Sequence, residues 1–275
     1  MTRSRRARRA AGQRSIRVLA AAIGLAFALP IAALVARAVL DGSLAASVTS
    51  RVVVDALALS LVTTSASLVV TVLIGLPLAF ALARRSFRGA TILETVIDLP
   101  IVLPPSVAGL ALLLLLGRRG WFGDALAAVG LEVPFTTLAV VLAQVFVSAP
   151  FFIRSARTGI AAVDRDLEDA ARVDGASESA VLRRITIPLA GPALAAGIVM
   201  SWARSLGEFG ATIMFAGNVE GRTQTLPLVV YGEFTGGDLN GAIAAAAILV
   251  LAALGVLVAV RALHWSRALD LRATG

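Results

Sequence analysis

Cysteine and lysine are both absent from the 275 residues, and histidine occurs once, at His264. Without cysteine the chain can form no disulfide, thiolate nucleophile or Cys-ligated metal centre, and one histidine cannot supply a histidine cluster. We interpret His264 as an interfacial side chain near a basic C-terminus. The absence of lysine excludes the phosphate-binding loop G-x-x-x-x-G-K-[ST], so the chain is not expected to hydrolyse ATP itself. No nucleophile, base and orienting group stand at a recognisable spacing, which predicts no catalytic residue, cofactor or metal site.

Long apolar runs dominate the sequence, which is 58% hydrophobic with a mean hydropathy of +0.89. A membrane-crossing helix needs roughly 20 mostly apolar residues. Six stretches of that kind predict an all-α, polytopic membrane protein with spans near 16–40, 53–83, 91–116, 134–156, 189–216 and 242–263. The expected organisation is a basic tail at 1–15, one transmembrane domain at 16–263 that contains a polar loop at 157–188, and a second tail at 264–275.

Arginine supplies all 25 basic residues and gives a net charge of +8. If the N-terminus is cytoplasmic, 19 arginines fall on the cytoplasmic side and five on the other side, as the positive-inside rule requires. This distribution follows topology, so we expect a multi-pass protein of the cell membrane with lipid contacts, two cytoplasmic termini and no nucleic-acid partner. The arginine-rich opening resembles a signal peptide, but its apolar stretch runs to about residue 40, which favours an uncleaved first span.

The polar loop contains the segment DAARVDGASESAVLRRITIP, from Asp169 to Pro188. Asp164 is a plausible N-cap for a helix at 165–174, and acidic residues crowd its first turn, where the helix dipole favours them. Gly175 is suited to ending that helix, and Ser177 to starting another. Within the first helix, Glu168 and Arg172 are spaced for an i, i+4 ion pair. These features alone fit either an amphipathic helix on the membrane surface or a segment that contacts a soluble partner.

The pattern D-A-A-x3-G-x9-I-x-I-P resembles the EAA loop of ABC-importer permeases, in which glutamate commonly stands at the position of Asp169. The resemblance implies that residues 164–187 form a coupling helix that docks into a separate ATPase subunit, which would bind the ATP. It assigns the coupling role to Glu168, Asp169, Ala170, Ala171, Gly175, Ile185, Ile187 and Pro188.

Two further segments resemble the membrane subunit of molybdate importers. They are DLPIVLPPSVAGLALLLLLGRRGWFG at 98–123 and SWARSLGEFGATIMFAGNVEGRTQTLP at 201–227, and the resemblance covers roughly residues 52–260. It implies a type I ABC-importer permease fold, a homodimer, and an extracytoplasmic oxyanion-binding protein that docks on the 117–133 and 217–240 regions. The implied substrate is molybdate, with tungstate, sulfate or thiosulfate as alternatives from the same family.

Prolines and charges interrupt two of the expected spans. Pro100, Pro104 and Pro105 remove backbone donors and must bend or break the third span, which fits either a packing kink or a pathway lining. Arg204 and Glu208 share one face of the fifth span, where they form either a packing ion pair or part of a pathway for an anion. The resulting pathway or gate candidates are Pro104, Pro105, Ser106, Arg204, Ser205, Gly207, Glu208 and Phe209.

A second reading of the sequence is an ion-coupled secondary transporter or channel that uses Glu94, Asp98 and Glu208 as coupling carboxylates. Against it, the sequence shows no inverted internal repeat, and the 164–188 segment would have no function. A membrane-embedded enzyme is disfavoured because no catalytic set of residues is recognisable.

Overall fold

Helices form all the regular secondary structure in the part of the chain that the computed structural model describes. The model describes the backbone of residues 2–84 and 87–273 and the side chains of residues 16–84 and 87–258. The elements, in chain order, are α1 Thr2–Leu40, α2 Ser43–Val48, α3 Arg51–Arg84, α4 Ala90–Val102, α5 Pro105–Leu116, α6 Gly123–Ala128, α7 Thr137–Ala161, α8 Arg165–Val173, α9 Glu178–Val181, a π-helical turn Leu182–Thr186, α10 Ile187–Leu206, α11 Gly210–Phe215, α12 Leu226–Gly236 and α13 Leu239–Ala273.

Five stretches of helix in the described residues are long and apolar enough to cross a membrane. They are Ile16–Leu40, Arg51–Arg84, Thr137–Ala161, Glu178–Leu206 and Leu239–Val258. A sixth crossing is formed if α4 and α5, which meet at an angle of 118°, count as one broken span. The all-α membrane class predicted from the sequence is therefore confirmed, while the division into a domain and two tails stays a prediction.

The helix α7 lies at the centre of the bundle, with 61% of its most apolar window buried. It packs most extensively against α3 and α10, and Phe152, Ile153 and Ile160 are among the buried side chains of this contact. A second cluster joins α7 to α5 and α11 around Phe215, and a third joins α3 to α12 and α13. The helix α7 thus contacts helices that precede it and helices that follow it in the chain.

The helix α1 lies at the periphery, with none of its most apolar window buried, and packs against α13 and α2. Its apolar side chains, including Phe27 at 77% exposure, face outwards, as expected for a helix whose solvent is lipid. His264 and the rest of the expected C-terminal tail lie outside the residues whose side chains are described.

Two of the expected spans are not single helices. The third is interrupted at Leu103 and Pro104, which both adopt extended backbone conformations between α4 and α5. Because Pro104 and Pro105 lack backbone donors, they cannot continue the hydrogen bonding of α4, and Pro105 instead occupies the first turn of α5. The fifth was expected to reach residue 216, but its helix ends at Leu206, and α11 starts only at Gly210.

Candidate functional site

The segment from Asp164 to Pro188 folds as a helix, a turn and a helical junction. The Asp164 side chain accepts a hydrogen bond from the Asp166 amide at 3.0 Å and caps α8. After α8, Gly175 adopts a left-handed conformation with φ of 88°, which only glycine takes without strain. The Ser177 side chain then caps α9, and Pro188 lies in the first turn of α10. The local capping chemistry of this segment is therefore as the sequence predicts.

Glu168 points into the protein and is only 2% exposed. Its Oε1 lies 2.7 Å from Nη2 of Arg84, the last residue of α3, and accepts a hydrogen bond from the Thr186 hydroxyl at 2.7 Å. The same Arg84 nitrogen donates to the Val163 carbonyl at 3.1 Å. Thr186 is fully buried and ends the π-helical turn that leads into α10. A single carboxylate thus joins α8 to the end of α3 and the start of α10.

Arg172 lies on the surface of the segment, where it contacts three carboxylates. Its guanidinium contacts Glu178 at 2.8 Å and Asp169 at 2.6 Å, whereas the approach to Glu168 is 3.8 Å. The hydrogen bonds to Glu178 and then to Asp169 raise the pKa of Arg172 above its ordinary value. The expected i, i+4 ion pair between Glu168 and Arg172 is therefore present at 3.8 Å, but the shorter contact of Glu168 is with Arg84, which lies 84 residues away.

The opposite face of α8 is open and partly apolar. Leu167 is 50% exposed, Val173 is 87% exposed, and Ala170 lies exposed between them. Exposed apolar side chains on a charged nine-residue helix are typical of a surface that contacts another protein or the membrane. The remaining members of the expected coupling set are Ala171, Ile185 and Ile187, which are half-buried, and Pro188, which is exposed.

The two helix breaks of the transmembrane region meet each other. A side chain at Gly210 would place its Cβ 2.8 Å from that of Pro105 and 3.1 Å from the Ser106 amide nitrogen, so the two backbones approach closely there. One turn along, a Cβ at Gly109 would lie 2.5 Å from the Ala211 carbonyl oxygen. The α4–α5 and α10–α11 breaks therefore lie side by side, and Ser106 and Gly207 are exposed beside this junction.

Arg204 and Glu208 form the expected ion pair, with Nη1 of Arg204 2.7 Å from Oε2 of Glu208. The ion pair lacks hydrogen-bond geometry, since Oε2 has no hydrogen-bond partner among the described residues. The other oxygen of Glu208, which is 1% exposed, accepts a hydrogen bond from the Ala211 amide at 2.7 Å. Glu208 thus caps the backbone of α11, while the Arg204 side chain stays 27% exposed. Among the other pathway candidates, the Phe209 ring packs against the Tyr231 ring with centroids 4.9 Å apart.

Ser205 lies inside the bundle, where it is 1% exposed. It accepts a hydrogen bond from Ser67 of α3 at 3.1 Å and donates to Ser148 of α7 at 2.9 Å, while Gln144 donates to its carbonyl oxygen at 3.3 Å. Polar bonds of this kind hold helices together where no water competes. Sequence reasoning missed Ser67, Ser148 and Gln144. The signal lay in α3, whose hydroxyl residues recur at helical spacing at Ser60, Thr64, Ser67 and Thr71.

Glu94 and Asp98 of α4 pair with arginines of α7. Glu94 lies 2.9 Å from Arg157, and Asp98 lies 3.7 Å from Arg154. These carboxylates therefore link α4 to the end of α7 that precedes α8. No group of three or more histidine, cysteine, aspartate or glutamate residues arranged to hold a metal ion occurs in the described part of the chain.

Comparisons with known proteins agree with this architecture. Residues 72–268 match the family model of the binding-protein-dependent transport system inner membrane component. The molybdenum transport system permease protein ModB of Mycobacterium bovis is 42% identical over 137 residues, which are 50% of this chain and 52% of the relative. The sulfate transport system permease protein CysT of Salmonella typhimurium is 34% identical over 139 residues, half of each chain. The chain spans about half the length of the curated relatives it matches.

Solved structures give the fold. A bacterial ABC transporter that imports the acidic polysaccharide alginate aligns with a TM-score of 0.64 at 19% identity, covering 82% of this chain and 83% of that one. Since this identity is low, the likeness carries the arrangement of helices and not the substrate. The family match extends over most of the chain, including the breaks, the Glu168 contacts and α8. The chain belongs to the family of inner membrane components of binding-protein-dependent transport systems, the permease subunits of ABC importers.

Proposed function

We propose that this chain translocates an oxyanion, with molybdate as the first candidate, as the permease subunit of an ABC importer. Relatives named for molybdenum transport are more similar to it than the relative named for sulfate transport, at 42% against 34% identity. Tungstate, sulfate and thiosulfate are the alternatives within the same substrate class. Energy comes from a separate ATPase subunit, because the chain has no lysine and hence no phosphate-binding loop.

The observation that carries the proposal is the two-sided character of α8. Its inner side is fixed to α3 and α10 through Glu168, while its outer side presents Leu167 and Val173 to solvent. A soluble partner can bind the exposed side of such a helix, and the contacts of the inner side can transmit a displacement of the helix to two membrane helices. Because packed helices move as rigid elements, movement of α8 changes how α3 and α10 lie against α7.

In this proposal the protein spans the cell membrane with α8 and both termini in the cytoplasm, as the arginine distribution predicts. The partners in this arrangement are a second copy of the chain, two ATPase subunits below and an oxyanion-binding protein on the outer face. The pathway runs past the adjoining breaks, where Ser106, Gly207 and the partly exposed Arg204 are accessible. Arg204 contributes positive potential for an anion, and Glu208 keeps that anion from binding too tightly.

A cross-linking experiment tests the docking step directly. Because the chain has no cysteine, Val173→Cys introduces a unique thiol on α8. In membranes that contain the whole transporter, we expect a bifunctional reagent to link this thiol to the ATPase subunit. Val129→Cys is the matched control, since Val129 is also a highly exposed valine, at 76%, but lies before α7 at its other end. Equal capture of the ATPase by both variants would contradict the docking assignment.

A reconstitution experiment tests the transport function. Vesicles that contain the permease, its ATPase and its binding protein are expected to accumulate labelled molybdate only when ATP is present on the ATPase side. Parallel uptake of tungstate, sulfate and thiosulfate ranks the substrates. Accumulation that collapses with a proton uncoupler while ATP is maintained would instead support an ion-coupled transporter.

A further inference from the structure

A cavity of about 310 Å³ lies at the end of α7 opposite α8. It is lined by Leu113, Arg118, Glu132, Pro134, Phe135 and Arg222. Phe135 comes two residues before α7, whose 25 residues extend about 37 Å. The lining residues therefore lie on the membrane face away from the coupling segment, the outer face in the proposed orientation. We call this space the outer cavity.

The walls of the outer cavity are fixed by hydrogen bonds to backbone carbonyl groups. Phe135 adopts a left-handed conformation with φ of 60°, rare for an aromatic residue, and its amide donates to the Phe215 carbonyl at 3.3 Å. The Thr137 hydroxyl donates to the carbonyl of Arg222 at 2.9 Å. The turn that carries Arg222 closes on the Val219 carbonyl, which accepts the amides of residues 222–224. Arg222 is therefore presented from an ordered turn.

The charged groups of the outer cavity are two guanidinium groups and one carboxylate. Arg118 lies 2.8 Å from Glu132, but their side chains are 77% and 63% exposed, so this pair holds together only weakly. The Arg222 side chain makes no ion pair or hydrogen bond with any described residue. The cavity consequently has an excess of positive charge, and one guanidinium is free to bind an anion.

The helices α5 and α11, which start at the two helix breaks, both reach the outer cavity. Leu113, in its wall, belongs to α5, which starts at the α4–α5 break and extends about 18 Å. Phe215, which bonds to Phe135, is the last residue of α11, which starts just after the α10–α11 break. The same two segments thus reach from the break junction to the outer cavity.

We infer that the outer cavity is a receiving site for a tetrahedral oxyanion, occupied before the anion enters the pathway. Arg222 binds the anion through its free guanidinium, whose planar donor set matches two oxygen atoms. Arg118 contributes when the anion displaces Glu132 from the exposed pair. Glu132 is thus a competitor that keeps the affinity moderate and allows release. This inference rests on the proposed transport of an oxyanion.

The test measures binding of labelled molybdate to the purified permease–ATPase complex in lipid nanodiscs without any binding protein, in a chloride buffer free of sulfate and phosphate. We expect Arg222→Gln to weaken binding about tenfold, as the loss of one charge-assisted contact requires. We expect Glu132→Gln to tighten binding about threefold, because it removes the competitor. Arg51→Gln is the control: it removes an exposed arginine from the same face but outside the cavity, and should leave binding unchanged.

The two variants are expected to change the affinity for molybdate in opposite directions. Misfolding cannot account for both results, since a misfolded protein would not bind molybdate more tightly. The inference is overturned if the unaltered complex binds no molybdate, if Arg222→Gln binds as Arg51→Gln does, or if Glu132→Gln gains nothing. It is also overturned if Arg222→Gln weakens only the docking of the binding protein. In these cases oxyanion uptake by the complete reconstituted transporter would leave the proposed function standing. Failure of that uptake for every oxyanion would refute the proposed function itself.

Discussion

Replacing Glu168 by alanine should loosen α8 from the membrane bundle. The substitution leaves the Arg84 guanidinium, whose side chain is 9% exposed, without its carboxylate, and removes the acceptor of the buried Thr186 hydroxyl. Breaking a buried ion pair by removing one partner costs about 3–5 kcal/mol. If that cost falls on the attachment of α8, the amides of this helix should exchange with solvent about 100- to 4,000-fold faster.

Hydrogen exchange measured by mass spectrometry on the 165–173 segment in nanodiscs is the appropriate assay. Asp169→Ala is the matched control, because it removes the neighbouring carboxylate, which is 68% exposed and bonds only on the surface. Exchange in that variant should stay near that of the unaltered protein. Equal exchange in the Glu168 and Asp169 variants would refute the reasoning, since it would mean that the buried contacts do not hold α8 in place.

A functional measurement complements the exchange experiment. Glu168→Ala should still be captured by the ATPase through the exposed face of α8, yet transport less substrate per ATP hydrolysed, because the displacement of α8 is no longer passed to α3 and α10. The double variant Glu168→Ala/Arg84→Ala leaves no unpaired charge and should be less destabilised than the Glu168 variant alone. If the loss of unfolding free energy in the double variant equalled the sum of the losses in the two single variants, the two residues would act independently.

Three further outcomes concern the transmembrane region. Gly210→Ala should lower the free energy of unfolding by about 1–3 kcal/mol, and with it the melting temperature, because its Cβ meets a proline at 2.8 Å. Gly191→Ala, whose Cβ has no atom of a described residue within 4 Å, should not; similar melting temperatures for the two variants would disprove the close approach. Ser205→Ala should cost about 0.6–1.7 kcal/mol in the same assay, since it removes both hydroxyl bonds to neighbouring helices, and an unchanged melting temperature would count against that network. The pair Arg204→Gln/Glu208→Gln removes two opposite charges together and should reduce oxyanion uptake in vesicles while complex assembly persists; undiminished uptake would reject their pathway role.

Local chemistry explains which parts of the fold could be predicted. The N-caps at Asp164 and Ser177, the left-handed Gly175 and the interruption at Pro104 all follow from the residue itself and its close neighbours. Backbone conformation at such positions depends on interactions within one turn, which the sequence contains in full. The all-α membrane class could be predicted for the same reason, because span length and apolarity are properties of continuous segments.

Contacts between distant residues could not be predicted in this way. The predicted ion pair between Glu168 and Arg172 forms at 3.8 Å, but the shorter contact of Glu168, 2.7 Å from Arg84, joins residues 84 apart and was not predicted. The end of α10 at Leu206 was also missed, because no proline marks the break. Glu208 bonds to the Ala211 amide there and stabilises a new helix start that hydropathy does not reveal.

The π-helical turn at Leu182–Thr186 has a mechanical consequence for α10. Such a turn holds about one residue more than an α-helical turn, so tightening it into α geometry rotates the following helix by about 100°. That rotation would carry the Thr186 hydroxyl off the Glu168 carboxylate. The hydrogen bond between Thr186 and Glu168 therefore opposes rotation of α10 about its own axis, and its loss should remove this restraint.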